Sequence, residues 1–356
     1  MSSLMKAITT TVVFEASAVN RDENIANNVQ SLKKLRREDG VYTYFSRSSM
    51  RHHIFNALVK KHGWKPARVT KDRDVIQFDI FEESIATSEE LDFFGYMRTG
   101  DISIVRKAPV GMTKAISLES WEGDMAFYAN HDLVERARKS GQSADPNPFA
   151  KEEHFSHYKY SVTVDLERVG KEVHILPKEI KVKNVKKKLE EALDRFLGIE
   201  LKELIRDRVF SGGEGKAEFE DMGEAYRIVF DLNEEEKKRR LKEFFDVIVN
   251  GFEIHSSTES WSTSPVFVIV ASTKMPLTLF NPYVQLNDGK VDLHLLSQVV
   301  EGNTNILDYR IWAADFIVEE ALELKGKIYS NLEDLNMWIK RVIEGSSNNE
   351  NPQDTD

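Results

Sequence analysis

Residues 41–63 read VYTYFSRSSMRHHIFNALVKKHG and hold a strand, a helix start and a helix end in direct succession. The run Val41–Phe45 consists largely of β-branched and aromatic residues, which favour a strand. Ser46 and the residues that follow it supply side chains that cap helix N-termini. The stretch therefore predicts a strand and then a helix over about residues 50–62, which Gly63 ends.

A second unit of the same kind lies further along the chain. Tyr226–Leu232 is typical of a strand, residues 233–250 of a helix capped by Asn233, and Val266–Ser272 of another strand. Three glutamates in the first turn of that helix match the positive end of its dipole. Two such units among extra strands predict an α+β fold with a ferredoxin-like core that is interrupted by insertions.

Other segments of the sequence also have the residue patterns of strands, helices or loops. Further strands are predicted at Ala7–Glu15, Val75–Phe81 (which closes the first unit), Met112–Leu118 and Tyr158–Leu166, and helices at 185–208, Trp312–Leu324 and Leu332–Ile343. Two segments without periodicity predict a long surface loop at 129–155 and a linker at 211–215. Residues 1–344 are expected to form a single domain, and the polar residues 345–356 a disordered tail.

Composition narrows the class of protein. The chain has 356 residues, 41% of them hydrophobic and 30% charged, and it contains no cysteine. Disulfides, thiolate nucleophiles and cysteine-ligated zinc are thereby excluded, which fits a reducing cytoplasm. No apolar run reaches the roughly 18 residues of a membrane span, and the first strand is too short and β-branched for a signal peptide. A cytoplasmic protein without a membrane partner is expected.

The charge of the chain is unevenly distributed. Residues 33–74 contain 12 lysines and arginines against 4 aspartates and glutamates, a net charge of +8, whereas the whole chain carries −10. A polyanion responds to the potential within about 8 Å at physiological salt more than to the total charge. The basic segment is therefore either a nucleic-acid surface or an ordinary solvated face.

The helix start within the basic segment is a candidate anion site. Free backbone N–H groups and the helix dipole favour an anion at this position, and Arg47, Arg51 and His52 would bracket it. One interpretation is a grip on a nucleic-acid phosphate. The other is a capped helix whose arginines are simply solvated, and the residues alone leave both open.

A second candidate follows the first strand, where residues 20–23 read Asn-Arg-Asp-Glu. The asparagine and arginine could bind ribose or phosphate. The two acids could instead hold a hard cation together with Asp101 or Asp124, which would permit metal-assisted cleavage. An ordinary turn is the third interpretation.

The order of motifs along the chain resembles one known family. The motifs are Ala18-Val-Asn-Arg-Asp-Glu23, Phe45-Ser-Arg-Ser-Ser-Met-Arg51, Phe93-Phe-Gly-Tyr-Met97, Ala108-Pro-Val-Gly-Met-Thr-Lys-Ala-Ile-Ser117, Asp124-Met-Ala-Phe-Tyr128, Tyr158-Lys-Tyr-Ser-Val162 and Lys274-Met-Pro-Leu277. Each is weakly specific, but their order and spacing over about residues 8–285 are similar to the Cas-seven superfamily of CRISPR backbone subunits, and within it to the DevR-like branch of type I-B systems.

The resemblance implies both a fold and a function. The fold would be an RNA-recognition-type, ferredoxin-like palm with an inserted finger at about residues 64–112 and a thumb at about 124–157. The protein would be a non-catalytic subunit of a type I-B Cascade complex, without metal or cofactor. Its copies would polymerise along CRISPR RNA, hold the sugar–phosphate backbone and present the guide to target DNA. Other partners would be Cascade subunits of the Cas-five, Cas-six and Cas-eight types.

The resemblance also implies functional residues, position by position. Those expected to contact the guide backbone are Asn20, Arg21, Ser46, Arg47, Ser48, Ser49, Arg51 and His52. Those that match the family's apolar wedges, which displace guide bases at regular intervals, are Met97, Phe127 and Tyr128. Phe149 is our own prediction for the tip of the thumb.

Two other functions remain open at this point. Some backbone subunits of type III complexes cut RNA with an acidic residue and a metal ion, and Asp22 would be that residue here. Alternatively, the protein could be a developmental regulator that acts through protein partners without RNA, as the name DevR suggests.

Overall fold

The structure, a computed structural model, describes residues 4–22, 29–72, 74–79, 83–99, 104–177, 210–212, 215–223, 225–256, 259–319, 324 and 326–345. The helix predicted at 185–208 lies outside these residues, as does the predicted tail apart from its first residue, Gly345.

The described helices are α1 (Arg47–His62), α2 (Glu89–Phe94), α3 (His131–Lys139), α4 (Glu234–Asn250), α5 (Leu293–Gly302) and α6 (Leu332–Glu344). The strands of the first half are β1 (Ala7–Ser17), β2 (Val29–Gln30), β3 (Lys34–Arg36), β4 (Val41–Phe45), β5 (Val69–Asp72), β6 (Val75–Phe78), β7 (Tyr96–Arg98), β8 (Ile104–Arg106), β9 (Val110–Met112), β10 (Ala115–Ser117), β11 (Met125–Tyr128), β12 (Phe149–Glu152), β13 (Phe155–Asp165) and β14 (Lys171–Pro177). Those of the second half are β15 (Phe210–Gly212), β16 (Gly215–Asp221), β17 (Ala225–Leu232), β18 (Glu253–Ser256), β19 (Glu259–Ser262), β20 (Pro265–Thr273), β21 (Leu286–Asn287), β22 (Lys290–Val291), β23 (Ile306–Ala313) and β24 (Ile328–Tyr329).

A large mixed sheet organises the molecule. Its strands follow the order β24, β23, β20, β1, β13, β10, β4 and β3, and β9 also pairs with β13. The first strand, β1, lies in the interior and is antiparallel to both neighbours, so that Val12 is opposite Tyr160 on one side and Val268 on the other. Every residue of β1 except Glu15 is buried. A strand that is covered on both faces reads as a nearly continuous apolar and β-branched run, which is why its sequence is so easily recognised.

Alternation along β1 sends its side chains into two separate cores. Val12 and Phe14 lie on the face that α1, α4 and α6 cover, whereas Val13 lies on the opposite face, with Phe267 and Phe280. Successive residues of a strand point to opposite faces, so each face acquires its own apolar cluster. The helices contribute to the first cluster through Met50, Ile54, Leu58, Leu241, Phe244, Ile248, Leu335 and Ile339.

Both predicted helix starts are confirmed. The Ser46 side chain caps α1 by accepting a hydrogen bond from the Ser49 amide at 3.2 Å, and Gly63 ends the helix with a φ of +72°. Asn233 caps α4 by accepting from the Glu236 amide at 2.8 Å. The helix predicted at Leu332–Ile343 is α6, and the predicted strands at Ala7–Glu15 and Tyr158–Leu166 are β1 and β13.

The strands that flank the helices in the sequence pair differently from the prediction. The strand β6, predicted to close the first unit, is hydrogen-bonded to β5 alone among the described strands. The strand β17, predicted to open the second unit, belongs to a four-stranded sheet with β14, β16 and β15. Pairing partners are set by contacts that are distant in sequence, and local propensity does not contain them.

Four other predictions are wrong in whole or in part. The helix expected at Trp312–Leu324 begins as strand β23, which pairs with β20. The surface loop expected at 129–155 contains α3 and β12. Of the linker expected at 211–215, the described residues 211, 212 and 215 belong to β15 and β16, which pair with each other. The single strand expected at Met112–Leu118 is divided into β9 and β10. Short apolar runs fit a helix and a strand equally well, and long-range pairing decides between them.

A buried ion-pair network joins α2 and β8 to α4. Asp92 is fully buried, and its carboxylate accepts from Arg106 at 2.6 Å, Arg240 at 2.9 Å and the Gly170 amide at 2.9 Å. The Arg240 guanidinium also donates to the Ile85 carbonyl at 2.6 Å. Since buried charges require partners, this network fixes α2 and the paired strands β7 and β8 against α4.

Replacing the central carboxylate should be costly. The substitution Asp92→Ala leaves two buried guanidinium groups without their common partner, and we expect it to lower the free energy of unfolding by about 3–5 kcal/mol. Urea denaturation measures this change. The control is Asp132→Ala on α3, which removes an exposed pair with Arg136 and should cost less than about 1 kcal/mol. Equal losses in the two variants would contradict the importance of the network.

Candidate nucleic-acid interface

The N-terminus of α1 presents donors and a cation to solvent. The amides of Ser49 and Met50 are bonded to Ser46, which leaves those of Arg47 and Ser48 as the outward donors of the first turn. The side chains of these two residues are exposed, and the first turn contains no acidic residue. Partial positive charge from the helix dipole therefore adds to a guanidinium at one position, an arrangement that attracts anions.

Asn20 fixes this turn to the end of β1. Its side-chain Oδ1 accepts a hydrogen bond from the Ser46 amide at 2.7 Å, and its carbonyl accepts from the Lys33 amide at 3.2 Å. The contact of Asn20 seen in the structure is therefore with the helix cap. Because the central sheet is rigid, this bond holds the donors of α1 in a defined position.

Arg21 and Asp22 have partners within the protein. The Arg21 guanidinium donates to the Glu152 carbonyl and lies 3.4 Å from the Glu153 carboxylate, and only 12% of its side chain is exposed. Asp22 pairs with Lys33. Both interactions tie the segment after β1 to its neighbours, β12 in the first case. A phosphate contact by Arg21 would compete with Glu153 for the guanidinium.

Arg51 and His52 are one turn further along α1. Arg51 forms an ion pair with Glu90 at 3.1 Å and lies over the Phe94 ring at 5.1 Å, whereas Arg47 has no ion-pair partner among the described residues. His52 is exposed, and its Nε2 is 3.0 Å from the Asn56 amide nitrogen. Arg47 is thus the cation of this helix start that is available to a ligand.

A polar groove continues along α1 beyond His52. A cavity of about 470 Å³ lies between the helix and β18, where it is lined by His52, His53, Asn56, Ala57, Lys60, Lys61, Glu253 and His255. Burial and the neighbouring His52 lower the pKa of His53. Lys60 is neutralised by Glu253 at 3.0 Å. The groove is therefore less cationic than its lysines suggest.

Met97 lies on an exposed apolar surface of the strand pair β7 and β8. It belongs to β7, is 63% exposed, and is directly opposite Val105 of β8, which is 62% exposed. Its neighbour Tyr96 points the other way and donates to the Glu172 carboxylate at 2.7 Å. Val105 was missed from the sequence, although Ile-Val-Arg at 104–106 has the alternation of a strand.

Phe127 and Tyr128 lie on β11, on opposite faces of its pairing with β12. Phe127 is 73% exposed, the largest exposure of any aromatic side chain among the described residues. Tyr128 stacks on Phe149 at 5.3 Å, and its hydroxyl donates to Glu153 at 3.2 Å. Phe149 is thus held against Tyr128 at the end of the β11–β12 pair from which the chain continues through α3, and its placement at the tip of a thumb stays a prediction.

The described residues contain no group of three or more histidine, aspartate or glutamate side chains arranged to hold a metal ion. Of the acids considered for such a site, Asp22 and Asp124 are described, whereas Glu23 and Asp101 lie outside the described part of the chain. No helix in the described ranges has the length and hydropathy to cross a bilayer.

Serine-to-alanine substitutions test the cap that presents these donors. We expect Ser46→Ala to lower the free energy of unfolding by about 1 kcal/mol, because the Ser49 amide loses its acceptor. The neighbouring Ser48→Ala removes an exposed hydroxyl at a position where alanine favours the helix, and it should be neutral or slightly stabilising. Urea unfolding of both variants measures the two changes in stability. A Ser46→Ala variant as stable as the parent would show that the Ser46 side chain does not stabilise the start of α1.

Comparisons with known proteins found one matching family and similar solved structures. A family described as "CRISPR-associated negative auto-regulator DevR/Csa2" matches residues 8–294. A chain from a structure titled "CRISPR RNA-guided surveillance complex" is similar with a TM-score of 0.54 and 11% identity, over 96% of this chain and 100% of the other. A chain titled "CRISPR RNA-guided surveillance complex, pre-nicking" is similar with a TM-score of 0.51, at the same identity and coverage. A comparison with curated proteins found no match.

Proposed function

Because the chain belongs to the DevR/Csa2 family of CRISPR-associated proteins, we propose that it is a non-catalytic backbone subunit of a type I-B Cascade complex. Its copies would assemble head to tail on CRISPR RNA, in the cytoplasm, and present the guide for pairing with target DNA. The other partners would be Cascade subunits of the Cas-five, Cas-six and Cas-eight types. No metal or cofactor is required for this role.

The observation that carries the proposal is the N-terminus of α1. Two outward amides, the exposed Ser48 hydroxyl and the exposed guanidinium of Arg47, which has no ion-pair partner among the residues that the structure describes, all lie within one helical turn. These groups match the oxygens of a phosphate, with charge-assisted hydrogen bonds from the guanidinium. The turn is also anchored by Asn20, so a bound phosphate would be held in a fixed register relative to the sheet.

Contacts of this kind suit a guide of any sequence. Phosphate and ribose contacts position a nucleic acid but carry no information about its bases. A spacer RNA differs from one guide to the next, and sequence is read by base pairing in RNA-guided complexes. A subunit that gripped base edges would restrict the guides it could hold, whereas a grip on the backbone does not.

The exposed apolar side chains supply the second part of the proposal. Phe127 on β11 and Met97 on β7 are exposed on separate insertions, at positions that match the wedges of the family. Apolar wedges inserted between bases unstack them and kink the strand, and aromatic rings stack on bases irrespective of sequence. In this account the wedges displace guide bases at regular intervals, and Tyr128 supports the thumb through its contact with Phe149.

We also infer that the palm is ferredoxin-like. The strands β1, β10, β13 and β20 form the spatial order β20, β1, β13, β10, and each is antiparallel to its neighbour. The helix α1 precedes β10 in the chain, and α4 lies between β13 and β20. This matches a split β-α-β arrangement repeated twice, with the finger inserted after α1 and the thumb between β10 and β13.

Loss of the Arg47 guanidinium tests the grip. We expect Arg47→Ala to weaken binding of guide-length RNA at least tenfold, because a hydrogen bond to a charged group contributes about 1.5–3 kcal/mol and about 1.4 kcal/mol corresponds to a factor of ten. The factor should be the same for RNAs of unrelated sequence. The slope of log affinity against log salt should fall by about 0.7 for one lost phosphate contact on a single strand. Fluorescence anisotropy across a salt series measures both.

The matched control is Lys340→Ala. Lys340 is an exposed cation on α6, which packs on α4 and lies away from the N-terminus of α1. The substitution Lys340→Ala changes the net charge by the same amount as Arg47→Ala. It should leave the affinity for RNA within about twofold of that of the parent. Equal weakening by the two variants would mean that general charge, and not the helix start, attracts RNA.

Removing a wedge should change the shape of the bound RNA more than its affinity. With Phe127→Ala, we expect the backbone contacts to persist while the periodic pattern of reactive, unstacked bases disappears. Chemical probing of the guide within the assembled complex reads out this pattern. Leu133→Ala, which truncates an exposed apolar residue on α3, is the comparison. Unchanged periodicity in the Phe127 variant would remove this residue from the wedge.

A further inference from the structure

A second polar cavity lies on the opposite face of the central sheet from α1. It has a volume of about 520 Å³ and lies between the β3–β4 hairpin, β10, β13 and the segment before β21. The residues that carry its chemistry are Arg37, Asp39, Tyr42, Ser117, Lys159 and Asn281. Tyr158 and Tyr160 of β13 belong to the core beneath α1, so Lys159 between them points to the other face. The cavity is therefore separated from the proposed RNA grip by the sheet.

Lys159 is the unusual residue of this cavity. It lies in the middle of β13, opposite Val13 on one side and Ile116 on the other. Its ammonium donates to the Val284 carbonyl at 2.6 Å. Among the described residues it has no carboxylate partner. An ammonium has three donors, so two remain available to a ligand in the cavity.

A half-buried cation without a carboxylate partner among the described residues loses hydration that no ion pair replaces. Burial and repulsion from Arg37 together lower the pKa of Lys159 to about 8. The presence of lysine at this position is explained if a ligand that binds in the cavity supplies the missing negative charge.

The other lining groups also favour an anion. Arg37 extends over the Tyr42 ring at 5.3 Å, and its guanidinium adds a second cation. The one acid of the lining, Asp39, is engaged with the Tyr42 hydroxyl. Asn281 accepts from the Ser161 hydroxyl at 3.2 Å through Oδ1, which leaves its amide Nδ2 to donate. The lining thus holds two cations against one carboxylate, and Asn281 adds a neutral donor.

We propose that this cavity is a binding site for a small phosphate ester of about the size of a mononucleotide, held through Lys159 and Arg37. A phosphate group supplies several acceptor oxygens and the negative charge that Lys159 lacks. The volume lies within the range of small-molecule sites, about 300–1,000 Å³. The half-buried ring of Tyr42 lines the cavity and offers an apolar surface for the remainder of the ligand. The site is independent of the RNA grip on the other face.

Titration of the full-length chain, freed of nucleic acid at high salt, tests the proposal with inorganic phosphate and AMP as probes. We expect the parent to bind both by calorimetry, and Lys159→Met to weaken both at least tenfold. Lys114→Met is the matched control, because Lys114 lies over Tyr44 on the same face of the sheet but does not line the cavity. It should bind both probes like the parent.

Two further measurements distinguish loss of the ligand site from unfolding of the variant and from loss of RNA binding. Lys159→Met should be at least as thermally stable as the parent without ligand, and it should bind guide-length RNA with unchanged affinity. If the variant fails to fold, Arg37→Ala replaces it, since Arg37 is exposed. A parent that binds neither probe at millimolar concentration, or a Lys159→Met variant that binds them equally well, overturns the proposal. Parallel loss of RNA and AMP binding overturns the independence of the two sites.

Discussion

The pairing of β1 with β13 on one side and β20 on the other is the constraint on which the rest of the structure depends. These three strands are joined over almost the whole of β1. Because β1 is buried on both faces, alternate residues of one strand determine two different cores. One core supports α1 and α4, and the other carries the segment with Phe280 and α5. Any shift of register by one residue would exchange these faces.

The position of the candidate interface at the N-terminus of α1 is determined by the end of β1. Asn20 follows the strand by a few residues and bonds the Ser46 amide, so the end of the central strand positions the start of α1. The acids that accompany most basic residues of this region are absent from the first turn of the helix. Lys33, Lys34 and Arg51 are each paired with a carboxylate, whereas Arg47 has no ion-pair partner in the described part of the chain. At the start of α1, Arg47 is therefore the cation that is left for a ligand, and it lies beside the free amides of the first turn.

The sequence predicted the parts that depend on local chemistry. The caps of α1 and α4 and the buried runs of β1 and β13 follow from residue types at fixed spacings, and anion binding at residues 46–52 stays a prediction. Two features could not be predicted in this way: the pairing of β17 outside the central sheet, and the formation of strand β23. In both cases the partner strands are distant in the chain. The engagement of Arg21 with Glu153 and of Arg51 with Glu90 was equally invisible, since a surface arginine and a paired one look alike in sequence. The cavity around Lys159 brings together residues from 37 to 286, and no motif marks it.

The most direct test of the account is a structure of the chain bound to a single-stranded RNA of guide length, determined by electron cryo-microscopy. The account predicts a phosphate within hydrogen-bonding distance of the Arg47 guanidinium and the Ser48 amide, with the same geometry in successive copies and for two unrelated RNA sequences. Density that places the RNA elsewhere, with Arg47 directed into solvent, would contradict it.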